Sequence, residues 1–451
     1  MRIVSAMLLL ASLTGRAGDW PTFGHDNRRS HVTDESLTFP LNNSWAYKSA
    51  VLPQTAWTGP ARWDAYAKNE GLQSMRNFDP AFFVTSVGDA VFFGSSADHA
   101  VHSLDANNGN ENWVSFADGA VRLPPTWAGG RLYFGADDGF ARCLDAKSGD
   151  EIWKFRPIEN AKLIPSNGKL MSPFPVRTGV LVDGGSAFFG ASLFPWDKSY
   201  LCAIDAKTGA KHFVNEQTGV TLQGIFLAST ERLYAPQGRS VPLIFAKSSG
   251  SKLGDVPGTG GVYCILTEDE QFIAIPNNQK SSENTVKLAS PDSREAILNI
   301  PGANRMIAAG QYLYFHQKGK LKAIDRAVAS AAQSKMTAAQ KKMTALKKAK
   351  APAKLFEPFQ KAEAAARLEL KAADLWSSFQ PVPSALILAG DHLILGGDGV
   401  VFAVDKNTGE QIWKADLSGR VYGLAVANGR LFASTDRGHI FCFSEATGSV
   451  R

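Results

Sequence analysis

Cysteine is scarce in this 451-residue chain: there are four, Cys143, Cys202, Cys264 and Cys442, with no adjacent pair, no C-x-x-C and no haem-attachment C-x-x-C-H. A local redox dithiol, a thiolate zinc motif and covalent haem are therefore not encoded. The eight histidines are scattered without a ligand spacing such as H-x-x-x-H, and neither a G-x-S-x-G elbow nor a P-loop occurs. Long apolar runs are missing too. Ile3–Leu13 behind Met1-Arg2 is too short to span a bilayer core of ~30 Å. With the small residues up to Ala17 it reads as a cleavable export signal, which predicts a mature chain from about Gly18 or Asp19, periplasmic or extracellular. No cysteine follows that run, so no lipid anchor is expected there.

What the chain does contain is a repeat. Ala403, Asp405, Thr408, Gly409 and Trp413 spell A-x-D-x-x-T-G-x-x-x-W. Near copies are Cys143, Asp145, Ser148, Gly149 and Trp153; Ser103, Asp105, Gly109 and Trp113; and Ala203, Asp205, Thr208, Gly209 and Phe213. A truncated copy starts at Cys442. In each, the Asp carboxylate can accept turn N–H groups, the Gly supplies a positive φ, and the aromatic residue on the next strand can wedge between sheets. Asp105 and Asp145 stand 40 residues apart, a propeller-blade period.

The expected fold is all-β, an eight-bladed propeller of four-stranded blades in a single domain over 19–451. The blades are expected at 81–113, 121–153, 175–213, 222–253, 262–300, 305–376 (interrupted), 385–413 and 421–443. The last has three strands, and its outer strand is assigned to Asn43–Lys48, including Trp45, which would leave no free edge. Cys143 and Cys442 occupy the small position of the motif in distant blades, with Cys202 one residue earlier. Buried free thiols are thus expected in spite of export, with disulfides the alternative.

Charge is localised. The net charge is +6, yet residues 326–375 hold eleven Lys/Arg against four acids, so the remainder is close to neutral and a general nucleic-acid-binding body is not supported. That stretch is rich in Ala and Lys and lacks Gly. Ala329, Ala332, Met336, Ala339, Met343 and Leu346 form one helical stripe; Phe359, Ala362, Ala366, Leu370 and Ala373 form another, after Pro358. A helical hairpin thrown out of blade six is predicted, either a solvated decoration or a docking arm for an anionic partner. Trp57, Trp63, Tyr66 and Phe78 in 49–80 suggest a packing lid over one face of the ring, with a ligand stack as the other reading.

These motifs resemble the pyrroloquinoline-quinone-like (PQQ-like) propeller family, for which A-x-D-x-x-T-G-x-x-x-W is the tryptophan-docking motif; Asp105, Gly109, Trp113, Asp145, Gly149, Trp153, Asp205, Gly209, Phe213, Asp405, Gly409 and Trp413 carry the match. The resemblance implies two branches. Quinoprotein dehydrogenases hold the quinone and calcium in the propeller funnel, commonly under a vicinal disulfide; BamB-like scaffolds hold no cofactor. The missing Cys-Cys pair and unalignable calcium ligands favour the scaffold branch. An exported, monomeric, non-catalytic propeller binding a protein or an anionic polymer is thus expected, with no cofactor and no metal. A quinone-dependent enzyme oxidising an alcohol or sugar is the alternative. So is a binder of an anionic small ligand or polysaccharide in the central channel. For that site the candidates are Arg122, Arg177, Gln223, Arg305, Arg420 and Tyr422, at or near the starts of innermost strands, where guanidiniums could hold carboxylate or phosphate. Asp98, Asp137, Asp138, Asp398 and Asp436 precede Gly or His in tight hairpins and read as turn residues.

Overall fold

A computed structural model of the chain describes residues 18–445 apart from 58–62, 65–68, 71–77, 160–161, 167, 239, 257–262, 276–284, 293–295 and 382. The predicted signal sequence, Tyr66 and the end of the truncated repeat copy lie outside the described residues.

Strands dominate, and nearly all are short meanders. Six four-stranded antiparallel sheets follow one another, Val84–Phe116, Thr126–Phe155, Leu181–Gln217, Leu227–Asp255, Tyr263–Pro301 and Ala303–Phe379. Apart from two small two-stranded hairpins, the remaining sheet has eight strands. Within it Gln411–Ala427, seventeen residues long, is at once the last strand of one four-stranded unit and the first of the next. The edge of the second unit is Leu41–Lys48, which pairs antiparallel with His439–Glu445 and sets Trp45 opposite Cys442. The fold is a β-propeller, and the two ends of the described chain meet in one sheet.

Burial on both sheet faces explains the strand composition. Ala385–Ala389 is buried at every position, as a strand covered on both sides requires. Phe92, Phe134, Phe189, Phe272 and Phe432, all fully buried, each stand on the second strand of their unit and fill the space between neighbouring sheets. All four cysteines are free and buried.

Two helices interrupt the sixth sheet between its third and fourth strands: α1 (Arg326–Lys348) and α2 (Glu357–Ala372). Asp325 caps α1 by accepting from the Val328 N–H at 2.9 Å, while Lys347 and Lys348 in the last turn face the negative end of the helix dipole. The buried stripe is narrower than the sequence suggests. Ala329, Ala332, Gln333 and Ala339 of α1 and Ala366 of α2 are buried, whereas Met336, Met343 and Leu346 are half-buried and Ala362 is exposed. Small side chains let α1 and α2 lie close together and leave little apolar face to hide. The outer strand of this sheet starts at Asp374, one or two residues before the predicted end of the insertion.

Candidate functional site

The repeated motif forms the joints between sheets. Asp145 Oδ1 accepts from the Lys147 and Ser148 N–H groups, Asp205 Oδ1 from Lys207 and Thr208, Asp405 Oδ1 from Asn407 and Thr408, and Asp105 Oδ1 from Asn107. Each turn ends on a glycine near φ +73 to +79, over which the aromatic residue of the preceding sheet is laid. A Cβ at Gly149 would lie 2.6 Å from the Trp113 ring, one at Gly209 2.9 Å from Trp153, and one at Gly250 would collide with Phe213. The indoles also donate, Trp153 Nε1 to Ala206 O at 3.0 Å and Trp413 Nε1 to Leu41 O at 2.9 Å. Two aromatic residues without a legible motif of their own join the series: Trp376 covers Gly409, and Trp45 covers Gly109.

At the hub the chain fills its own channel from both ends. Residues 18–33 cross one face and supply backbone acceptors to the innermost strands: Gly18 O to Asn428, Pro21 O to Trp127, Asn27 O to Ala228, Arg28 O to Leu266, and His31 O to Leu388. Trp20 and Ser86 exchange a pair of backbone bonds, and Val32–Thr33 runs parallel to Leu388–Ala389. Such a path needs sharp turns, and Gly24, His25, Arg29 and His31 all take positive φ. Arg29, fully buried, ties the turns by donating to Phe226 O at 2.9 Å, Thr22 Oγ1 at 2.8 Å and the Phe23 and Asp26 carbonyls at 3.1 Å; burial lowers its pKa to about 10. Burial likewise drives the His31 pKa down to about 3, so this ring is neutral.

From the opposite face comes the segment after Lys48. Ala56 and Phe78 pack with Leu123 and Ile225, which precede innermost strands, and Phe23 of the N-terminal segment meets the same cluster with Trp57. The central cavity left between the two segments is ≈ 60 Å³, lined by Trp20, Phe23, His31, Phe83, Arg305 and Tyr422 among others. That is room for a few waters.

The channel-mouth candidates are divided, not gathered. Arg122 bridges Asp79 and Asp137, both at 2.6 Å, and Arg177 grips the same Asp137 through two bonds of 2.7 and 2.9 Å while its guanidinium lies 5.6 Å from the centre of the Trp57 ring. All four charges are buried. Burial alone would raise the Asp137 pKa, but Arg177 and then Arg122 outweigh it and hold it at about 2. Burial pushes Asp79 up, against the pull of Arg122. Arg305 donates to the Ser384 and Asn304 carbonyls beside Tyr422 in the central cavity. Arg420 pairs with Asp398 at 2.8 Å near the surface, and buried Gln223 donates to Leu193 O. Of the hairpin acids read as turn residues, Asp138 Oδ1 accepts locally from Phe140 N, whereas Asp137 and Asp398 hold arginines from other segments and Asp436 Oδ1 accepts from Arg420 N sixteen residues away. Asp98 binds His102 at 3.0 Å. Among the described residues no three His, Cys, Asp or Glu side chains converge as metal ligands.

Sequence reasoning missed the N-terminal strap. Its signal was present in Asp19-Trp-Pro-Thr-Phe-Gly-His-Asp26, too short and irregular for a strand yet too aromatic for a solvated tail.

Meandering sheets locked by an aromatic residue on a glycine turn define a propeller of the PQQ-like class. The chain belongs to the family described as outer membrane protein assembly factor BamB, whose model matches residues 54–221, 97–269 and 375–451. It is also similar to a quinohemoprotein alcohol dehydrogenase of Comamonas testosteroni, 24% identical over 216 residues, which are 44% of this chain and 25% of that protein. A second such relative, ADH IIB of Pseudomonas putida, is 29% identical over 27% of this chain and 18% of its own length. The chain therefore spans about a quarter or less of the curated relatives it matches. Among solved structures, quinohemoprotein alcohol dehydrogenase ADHIIG of Pseudomonas putida HK5 superposes with a TM-score of 0.60 at 12% identity, covering 95% of this chain and 80% of that one. At that identity the likeness is one of fold. No described helix is long and apolar enough to cross a membrane.

Proposed function

We propose that this protein is an exported, non-catalytic propeller of eight blades that works as a binding or assembly scaffold for a protein partner. The observation that carries this reading is the filled channel. The eight-stranded sheet counts as two blades, with Leu41–Lys48 as the outer strand of the last, so a single ring encloses the hub. The family's dehydrogenase branch needs that hub for quinone and calcium. Here the chain's own residues 18–33 and the segment around Ala56 and Phe78 occupy it, and the ≈ 60 Å³ cavity between them does not fit a three-ring quinone. Larger hollows, of ≈ 150 Å³ beside Arg122 and Asp137 and ≈ 580 Å³ beside Arg28 and Tyr312, lie on the outer sides of these segments. Asp137 and Asp79, the buried carboxylates at the mouth, are engaged by arginines, which is not the donor set of a calcium site. What the ring offers to others is its outside: blade edges, the loops of both faces and the helical hairpin.

Reconstitution tests this directly. Purified protein incubated with PQQ and calcium is expected to leave the cofactor unbound and to reduce no dye with alcohols or sugars. Stoichiometric uptake followed by alcohol-dependent dye reduction would replace the scaffold reading with the dehydrogenase chemistry named for the relatives.

A further inference from the structure

The helical hairpin carries most of its charge at its far end. Between Ala339 and Ala366 no residue is buried, so the last turns of α1, the connecting turn and the first turns of α2 are exposed to solvent. Residues 342–365 hold six lysines, Lys342, Lys347, Lys348, Lys350, Lys354 and Lys361, against Glu357 and Glu363, which concentrates four of the chain's six net positive charges at one tip. Glu363 is already engaged, by Arg367 at 2.7 Å and by Gln340 at 2.9 Å. The base of the hairpin differs. There Lys335 pairs with Glu369, Arg326 pairs with Asp269, and the buried alanines seat the helices.

Apolar side chains are mixed into the tip. Leu355 is 51% exposed in the turn Ala353–Phe356, and Met343, Leu346, Phe356 and Phe359 are only half-covered. The tip is the exposed turn end of a two-helix hairpin. Its cations are lysines, flexible point charges, not planar forks suited to paired carboxylates. Lysine stems can lie along an apolar boundary while their ammonium groups reach outward. We infer that the hairpin tip is a docking site for an anionic phospholipid surface: lysines meet the headgroups and Leu355 enters the interface. This holds independently of whether the channel is filled. It gives the scaffold a fixed orientation, with the hairpin toward the membrane and the ring held off it.

Vesicle co-sedimentation with the full-length protein tests it. Vesicles containing phosphatidylglycerol should pull the protein down at low salt and release it in high salt, and pure phosphatidylcholine vesicles should not. Replacing Lys347, Lys348, Lys350 and Lys354 with glutamate should cut partitioning by more than about tenfold while leaving the unfolding curve of the ring unchanged. Leu355→Ser should weaken binding at high salt more than at low salt. The proposal is overturned if wild type ignores anionic vesicles at low salt, which would turn attention to an acidic protein as the tip's partner. It is equally overturned if the four-fold charge reversal, still folded, binds as tightly as wild type.

Discussion

Trp45 lies flat on Gly109: a Cβ on that glycine would stand 2.6 Å from the indole, whose Nε1 donates to Ala106 O at 2.9 Å. The two residues belong to the last and the first unit of the ring, Trp45 on the outer strand that the N-terminal segment lends to the last sheet and Gly109 in the turn of the first. The joint that repeats between consecutive sheets is thus also the one that closes them. Trp45→Ala should cost about 3–5 kcal/mol. Trp196→Ala, at a site 66% exposed where the ring stacks on Phe194, should cost under about 1 kcal/mol. Equal denaturation midpoints for the two variants would show that the seam contributes nothing.

Gly409 and Gly129 separate backbone strain from collision. Both have positive φ, +73° and +57°, but a Cβ at Gly409 would be 2.5 Å from Trp376 whereas nothing lies within 4 Å of one at Gly129. Gly129→Ala is expected to lose about 1 kcal/mol and Gly409→Ala more than about 3 kcal/mol, measured by urea unfolding. Similar losses would mean that the indole moves aside freely.

At the mouth, Asp137 is the shared partner of two buried arginines. Asp137→Asn keeps the shape and removes the charge, leaving Arg122 with Asp79 and Arg177 with no carboxylate among its bonds seen here. A loss of about 3–5 kcal/mol is expected, the cost of an unpaired buried charge. A loss under about 1 kcal/mol would mean that water reaches Arg177 and that the mouth is open.

His102 supplies a pH signature close to the seam. It is stacked on Phe93 with centroids 4.6 Å apart and is held at 3.0 Å by both Asp98 and Glu111. Burial would lower its pKa, but the two carboxylates prevail and raise it above 6.5, with Asp98 drawn down to about 2. A raised folded-state value means that the stabilisation is fully present below about pH 6.5 and is lost as pH rises through the folded value. Wild type should therefore exceed His102→Gln in stability most at about pH 5.5, and the gap should narrow by pH 9. His31 acts in the opposite sense. With its folded value near 3, its contribution is whole above about pH 6.5 and falls on acidification, by at most about 1.4 kcal/mol per pH unit. A wild-type advantage at His102 that grew with pH would contradict the assigned ion pairs.

The ring was legible because its joints are spelled locally. Asp, Gly and Trp within nine residues specify a turn, a positive φ and a wedge, and each copy marks one sheet. Trp376 and Trp45 could be placed on outer strands by rhythm, yet neither carries an Asp-x-x-x-Gly motif before it on its own sheet, so their docking on Gly409 and Gly109 is not spelled locally. The hub was hidden for a related reason. Residues 18–33 have no period, since each meets a different strand end and the turns depend on positive φ at His25, Arg29 and His31, which no residue-type preference announces. The arginines were correctly placed near innermost strands, but Asp79, which neutralises Arg122, lies in a loop 43 residues away. Nothing local links the two.

The filled hub is the centre of this account, and amide hydrogen exchange addresses it most directly. Trp127, Ala228, Leu266 and Leu388 donate to the strap at residues 18–33. If the strap is a permanent part of the ring, these amides exchange only through global unfolding, at the slowest rate in the protein and unchanged by added PQQ and calcium. Exchange of all four within the time of a loop opening, or a change in their rates on adding the quinone, would show that the strap leaves the channel and that the hub is a binding site after all.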